Sequence, residues 1–317
     1  MVVVGHGLNQ ATADTIQVIA EPGETRHHAL AMPDAALINA SVGPYILREL
    51  IAVGGTAEVY RGTHRDDSRS TYAVKVIRQE LRTDAVKIKA FANEFAFLRR
   101  FSHPGIPQAW RYGEVQGRAA MVMGHLPGQN LGQVCLSGKA KDPIGFFHGL
   151  VEVVAHLHEQ QVVHNDLKLD NVLVDGHGRI GLVDFGNAKD QAQEGLFARL
   201  FRRTPTQIFA TPTYVAPELL RGKSPSKASD VYSLGVCGWL LLTGKPPPSA
   251  EPNQRQTPVT SADHDMFRRA QPGLDPRVAS LVKRCTSIDP KSRFPDAQIL
   301  AANLAQLPML SSRRPRA

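Results

Sequence analysis

Residues 162–187 read VVHNDLKLDNVLVDGHGRIGLVDFGN, and this stretch constrains the chain more than any other. Two β-branched apolar residues lead in and an Asp-Phe-Gly turn closes it. Between them stand His164, Asp166, Lys168, Asn171 and Asp184. A carboxylate, an ammonium, an amide and a second carboxylate at these spacings suit phosphoryl transfer. That chemistry needs a group to orient an attacking hydroxyl, a cation to offset phosphate charge, and oxygen ligands for Mg²⁺. Asp166 suits the first task and Lys168 the second, while Asn171 and Asp184 suit the third.

The 317 residues allow one large domain or a two-lobed one with short extensions, and a 42% hydrophobic share is ordinary for a chain that buries a core. Cys135, Cys237 and Cys285 are odd in number and far apart, so they form neither a disulfide framework nor a metal spacing. They read as buried small residues in a reducing compartment. The net charge of +8 comes from scattered Lys and Arg, without the aromatic interleaving of single-strand binders, which argues against nucleic acid. The opening MVVVGHGLNQ lacks a basic n-region and a long apolar core, and VYSLGVCGWLLLTG is too short to span a bilayer. A soluble, cytoplasmic protein without membrane partners is expected. His6, His27 and His28 have no Cys or acidic neighbour to complete a metal site and read as solvated surface.

Residues 1–44 alternate short apolar runs with Gly, Pro and His. Ile16–Ile19 could be a strand, and the segment reads either as an extension packed on the following domain or as a flexible one. Tyr45–Tyr60 alternates apolar and polar residues about a small-residue break, the pattern of two strands joined by a Gly-rich turn. Small residues there let backbone N–H groups approach a polyphosphate, although a plain hairpin uses the same pattern. Tyr72–Val76 is a strand with one Lys, Lys75, among apolar residues, and an unpartnered buried ammonium is costly. Lys87–Arg100 has helical spacing (Ile88, Phe91, Phe95, Leu98) and carries Glu94. Pro143–Gln160 is also helical by period, with His156 and His158 read as structural or exposed. Lys245–Pro258 is Pro-rich loop, Val278–Cys285 and Asp296–Leu307 are closing helices, and the end is a short basic tail.

Taken together these motifs resemble, in the right order over residues 45–307, a eukaryotic-like (Hanks-type) serine/threonine protein kinase catalytic domain. His164-Asn165-Asp166-Leu167 with Asn171 is similar to H-R-D-L-x-x-x-N, and Asp184-Phe185-Gly186 is the D-F-G element. Ala210–Glu218 resembles G-T-P-x-Y-x-A-P-E, and Ser229–Gly235 resembles the start of that family's central helix. The resemblance implies an α+β, two-lobed fold: a small, mainly antiparallel β lobe with one helix over about 45–123, and a large, mainly α lobe over about 127–307. Residues 1–44 would be an extension and 308–317 a tail.

It also implies roles. Asp166 would be the base, and Lys168 would neutralise charge near the γ-phosphate. Lys75 would reach the α- and β-phosphates and pair with Glu94, and Asn171 and Asp184 would hold Mg²⁺ or Mn²⁺. ATP would lie against Ile51, Gly54, Gly55, Val59, Ala73 and Leu173. Met123 would be the gatekeeper, with Gly124 and Leu126 in the hinge. Thr211 would contact Asp166 and Lys168, Arg293 would neutralise Glu218, and Asp230 would brace the catalytic loop. The sequence departs from the pattern at Ala210, which replaces Gly, at Gly124, where many members have Glu, and at two places that bear on function. Asn165 stands where the family has Arg, which predicts weak dependence on activation-loop phosphorylation. The first and third glycines of G-x-G-x-x-G are Ala52 and Ala57. Thr204 and Thr206, beside Arg202 and Arg203, are candidate autophosphorylation sites. The expected partners are proteins with Ser/Thr acceptors, and the oligomeric state is left open. Two other readings stand beside this one. Aminoglycoside- and choline-type small-molecule kinases share the catalytic and metal residues, and a catalytically impaired scaffold would account for the altered Gly-rich turn.

Overall fold

The computed structural model describes residues 17–18, 37–191, 212–248 and 258–307. The chain forms two compact units. One comprises residues up to 88 together with 111–123, and the other comprises 89–110 and 124 onward.

The first unit is built on a sheet of seven strands: β1 (Gln17–Val18), β2 (Ser41–Val42), β3 (Tyr45–Val53), β4 (Ala57–His64), β5 (Asp67–Ile77), β6 (Ala109–Val115) and β7 (Arg118–Gly124). The strand order is β1-β3-β4-β5-β7-β6, with β2 also pairing β3. β3, β4 and β5 are joined by short turns and so pair antiparallel, each strand alternating its side chains. Successive side chains therefore divide between two faces. Leu47, Tyr60, Val74, Val76, Ala120 and Val122 fill one face and make the core. Leu37 and Val42 from the extension join that core, each buried almost completely. Burying side chains of this size stabilises by about 1.5–3 kcal/mol each, so this part of the extension is part of the folded unit. β1 adds a parallel edge, with Gln17 opposite Ala52 and Val18 opposite Val53.

The second unit is helical: α1 (Ala85–Leu98, beginning in the first unit), α2 (Leu131–Leu136), α3 (Pro143–Glu159), α4 (Pro217–Leu220), α5 (Lys227–Thr243), α6 (Ser261–Ala270), α7 (Pro276–Cys285) and α8 (Ala297–Leu304). α5 is its axis. A capping box between Ser226 and Ser229 starts it, and Gly244 in the left-handed region ends it. Nearly every side chain from Ser229 to Leu241 is buried, the signature of a helix enclosed on all sides. A Cβ on Gly235 would lie 2.6 Å from Cys285 Cβ, so only glycine permits α7 to approach this closely. α3 starts on an Asp142 cap followed by proline. Short strands sit beside the helices: β8 (Gln129–Asn130), β10 (Val172–Val174) and β11 (Ile180–Leu182) form one sheet, and β9 (Val162–Val163) pairs β12 (Lys189–Asp190).

The three cysteines are buried and free. Among the described residues, no helix is long and apolar enough to cross a membrane.

Candidate active site

In the first unit, β3 and β4 meet at a turn closed by Gly54 N–H donating to Ala57 O at 2.8 Å. The register sets Val59 opposite Ala52 on one side and Lys75 on the other, and sets Arg61 opposite Ala73. Val59, Ala73 and Lys75 therefore share the sheet face turned away from Tyr60, Val74 and Val76. Ile51 is the extra residue of a bulge between the Leu50 and Ala52 pairs. Lys75 is buried on its strand, and Met123 is buried at the end of β7. A Cβ at Gly55 would meet nothing within 4 Å, and one at Gly54 would meet only Ala57 O at 3.5 Å. One side of the turn is thus open to an incoming group.

In the second unit the loop of residues 164–168 hangs from α5. Asp230, fully buried, accepts from His164 N at 2.7 Å and from Asn165 N at 3.0 Å, and lies 3.1 Å from His158 Nε2. His158 Nδ1 in turn accepts from Ala297 N at 3.0 Å. The ring thus bridges α8 and Asp230 through its two nitrogens. Asn165 adopts φ +62°, a left-handed conformation that non-glycine residues seldom take. Its side-chain amide donates to Asn187 O at 3.3 Å.

These contacts present Asp166, Lys168 and Asn171 as a cluster. Lys168 Nζ lies 3.5 Å from Asp166 Oδ2. Asn171 Nδ2 donates to Asp166 O at 2.9 Å and reaches Oδ2 at 3.3 Å. Burial pushes the Asp166 carboxyl above the usual range; Lys168 opposes that shift and Asp184 adds to it. Asp184 is exposed and also left-handed, at φ +64°. Phe185 is buried edge-on against His164 at 4.9 Å, and its N–H points to Glu94 Oε1 at 3.4 Å. Leu126 lies over Gly181 beside Leu173, and Gly124 N donates to Gln108 O at 2.9 Å. Lys75 and Glu94 belong to different units.

The donor set fits a hard divalent cation. Because Asn171 spends its Nδ2 on Asp166, its carboxamide oxygen is the group left to offer, and Asp184 adds a carboxylate. No three His, Cys, Asp or Glu side chains among the described residues form a metal cage of their own. This is the chemistry of a cation that completes its shell with phosphate oxygens and water.

Farther along, Arg293 grips Glu218 with its two terminal guanidinium nitrogens at 2.7 and 2.8 Å, and both residues are buried. Thr204, Thr206, Thr211 and most of the segment around them lie outside the described residues, as do most of the Pro-rich loop and the basic tail. Sequence reasoning missed the bridging place of His158. It also missed a buried ion pair in the first unit, Arg118 Nη2 to Glu58 Oε2 at 2.7 Å. The available signals were weak: a Glu next to Val59 on an alternating strand, and an Arg opening the apolar run of β7.

Comparison with known proteins adds a family. Residues 45–304 match the family described as protein kinase domain. The chain is 28% identical over 273 residues to the serine/threonine-protein kinase PrkC of Bacillus subtilis, covering 83% of this chain and 40% of that protein. It is 30% identical over 266 residues to the CBL-interacting protein kinase 25 of Oryza sativa, covering 81% and 50%. It is 34% identical over 221 residues to the serine/threonine-protein kinase PknA of Mycobacterium tuberculosis, covering 65% and 48%. The chain thus spans half or less of the length of these relatives.

Proposed function

The chain belongs to the protein kinase family, and from that membership we propose that it transfers the γ-phosphoryl group of ATP to Ser or Thr hydroxyls of proteins. The observation that carries the reading is the Asp166–Lys168–Asn171 cluster held on Asp230. In this reading Asp166 orients the acceptor hydroxyl, and Lys168, two residues on and at 3.5 Å, offsets charge on the transferred group. Lys168 at this position is the family's mark of Ser/Thr acceptors. Asn171 and Asp184 hold the divalent cation, Mg²⁺ or Mn²⁺, which supplies charge neutralisation at the phosphates. Lys75 reaches the α- and β-phosphates, and Glu94 is the partner that the family pattern assigns to it. Ile51, Gly54, Gly55, Val59, Ala73, Met123, Gly124, Leu126 and Leu173 form the nucleotide site. The domain spans 45–307, with lobes of about 45–123 and 127–307, in a cytoplasmic protein.

Asn165 gives the reading a regulatory corollary. Arginine at this place captures a phosphorylated activation-loop residue, and a neutral amide forms no such charge pair. Here the amide is engaged with Asn187 O. Activity therefore depends weakly on phosphorylation at Thr204 or Thr206, although either residue remains an autophosphorylation candidate. The small-molecule-kinase reading lacks support from α4, whose Glu218–Arg293 pair belongs to the protein-acceptor branch of the resemblance. The scaffold reading leaves the metal-ligand pair without a purpose.

The test is acceptor identity. With labelled ATP and Mg²⁺, label should appear on Ser and Thr of a generic basic protein. Label confined to choline or an aminoglycoside would replace the reading with a small-molecule kinase.

A further inference from the structure

The core face of the first unit carries one charged cluster in an otherwise apolar setting. Glu58, Arg118 and Tyr60 are all buried there, against Val74, Val76, Ala120 and Val122. Arg118 Nη2 donates to Glu58 Oε2 at 2.7 Å, and Tyr60 OH donates to the same oxygen at 2.8 Å. Arg118 Nε donates to Ile77 O at 2.8 Å. A buried ion pair commonly adds no more stability than apolar side chains of equal volume, so its presence calls for a role other than stability.

Its position suggests that role. Glu58 follows the turn that joins β3 to β4, and Ile77, the residue Arg118 holds, pairs with Ala57 across the sheet. The guanidinium thus ties the start of β4 to the end of β5. The next residue, Arg78, carries the tie into the turn: its N–H donates to Thr56 O at 3.0 Å and its Nη1 to Gly54 O at 3.4 Å. A trans peptide directs its C=O and the following N–H to opposite sides. Holding the oxygens of Gly54 and Thr56 on the Arg78 side therefore aims the N–H groups of Gly55 and Ala57 away from it. A turn with only two glycines gains its amide orientation from this bracing.

We propose that Glu58, Arg118 and Tyr60 are positioning residues, a buried latch that fixes the amides of the Gly54–Ala57 turn and thereby sets affinity for the nucleotide polyphosphate. The inference rests on the nucleotide-binding reading of that turn. The latch touches no phosphate; it acts through Ile77 and Arg78.

The test compares the full chain with Glu58→Met/Arg118→Met and Tyr60→Phe. The double variant replaces the pair with apolar groups of similar reach, which favours retention of the fold. Tyr60→Phe removes one hydrogen bond without opening a cavity. The readouts are Mg-ATP binding by calorimetry, KM for ATP and kcat separately, and hydrogen exchange at residues 54–57. Expected are a rise of about tenfold in Kd and KM for the double variant and about threefold for Tyr60→Phe, tenfold being the scale of one charge-assisted hydrogen bond. kcat should stay within about twofold, and exchange at the turn should quicken. Unchanged KM in a folded variant, or a fall in kcat that matches any change in kcat/KM, overturns the latch. Should the double variant not fold, Tyr60→Phe decides alone. A parent protein that does not bind Mg-ATP overturns the nucleotide reading itself, which separates that failure from failure of the latch.

Discussion

Replacing Asp230 with Asn should disable the catalytic loop while leaving nucleotide binding nearly intact. Asp230 Oδ2 takes His164 N and His158 Nε2, and Oδ1 takes Asn165 N. An amide keeps one oxygen and sets an NH₂ group against a donor. The cheaper orientation leaves the oxygen on the two histidine donors and turns the NH₂ toward Asn165 N–H. That forfeits one bond to a charged group, worth about 1.5–3 kcal/mol, and weakens the other two, since charge roughly doubles such bonds. The lost bond helps to hold Asn165 at φ +62°, a conformation that Asn adopts more readily than most L-residues. The sum is about 3 kcal/mol of lost loop order. At 1.36 kcal/mol per decade, that predicts a fall in kcat of about 100-fold. Steady-state kinetics with a Ser/Thr peptide would measure it, with Kd for Mg-ATP expected within about twofold of the parent. At about 2–4 °C per kcal/mol, Tm should fall by about 6–12 °C, so the assay belongs below that transition. A folded Asp230→Asn protein with kcat within about threefold of the parent would refute the bracing argument.

Other outcomes follow from the same geometry. Glu218→Gln strands the buried Arg293 guanidinium and should cost about 3–5 kcal/mol in urea unfolding, whereas Glu218→Leu/Arg293→Met should cost well under the sum of its single variants. His264 is buried, with its Nε2 3.1 Å from Thr286 Oγ1, and desolvation with help from Lys283 and Arg268 lowers its pKa to about 4, against Asp263 and Asp265. The unfolded chain gains this proton near pH 6.5 and the folded one only near 4, so stability should fall between those values by about 3 kcal/mol as pH drops. His264→Gln should flatten that part of the profile in pH-dependent denaturation. Gly235→Ala places a methyl 2.6 Å from Cys285 Cβ and should cost about 1–3 kcal/mol by the same unfolding assay. Asn165→Arg should make turnover depend on phosphorylation of Thr204 or Thr206, read as a rate gap between phosphatase-treated and untreated protein.

What the sequence made legible was mostly short-range. Asp166, Lys168 and Asn171 fall within one loop and its following 3₁₀ turn, so their spacing alone brings them together. The β3–β4 hairpin followed from period-two patterning, and α1 and α3 from helical period. The illegible features depend on distant partners. His158 reads as an ordinary helix histidine because its partners, Asp230 and Ala297, lie 72 and 139 residues away. Arg118 and Glu58 are 60 residues apart with no local sign of pairing. α6 was missed because SADHDMFRRA is polar at six of its ten residues and its burial does not follow its hydrophobicity: Ala262 and Met266 are exposed, whereas Asp263, His264 and Phe267 are buried. Its start is set by the Thr260–Asp263 capping box and its place by Phe267 packed on Trp239. The part of the extension from Leu37 to Val42 could be read either way until its apolar residues were found in the sheet core.

The measurement that bears most directly on the central claim separates binding from chemistry at Asp166. The 317-residue chain and its Asp166→Ala variant would be compared for Mg-ATP affinity and for single-turnover phosphate transfer to a Ser/Thr acceptor. The account predicts nearly equal affinities and a transfer rate lower by about 100-fold or more in the variant, within the range general-base removal covers. Transfer at the parental rate by Asp166→Ala would contradict it.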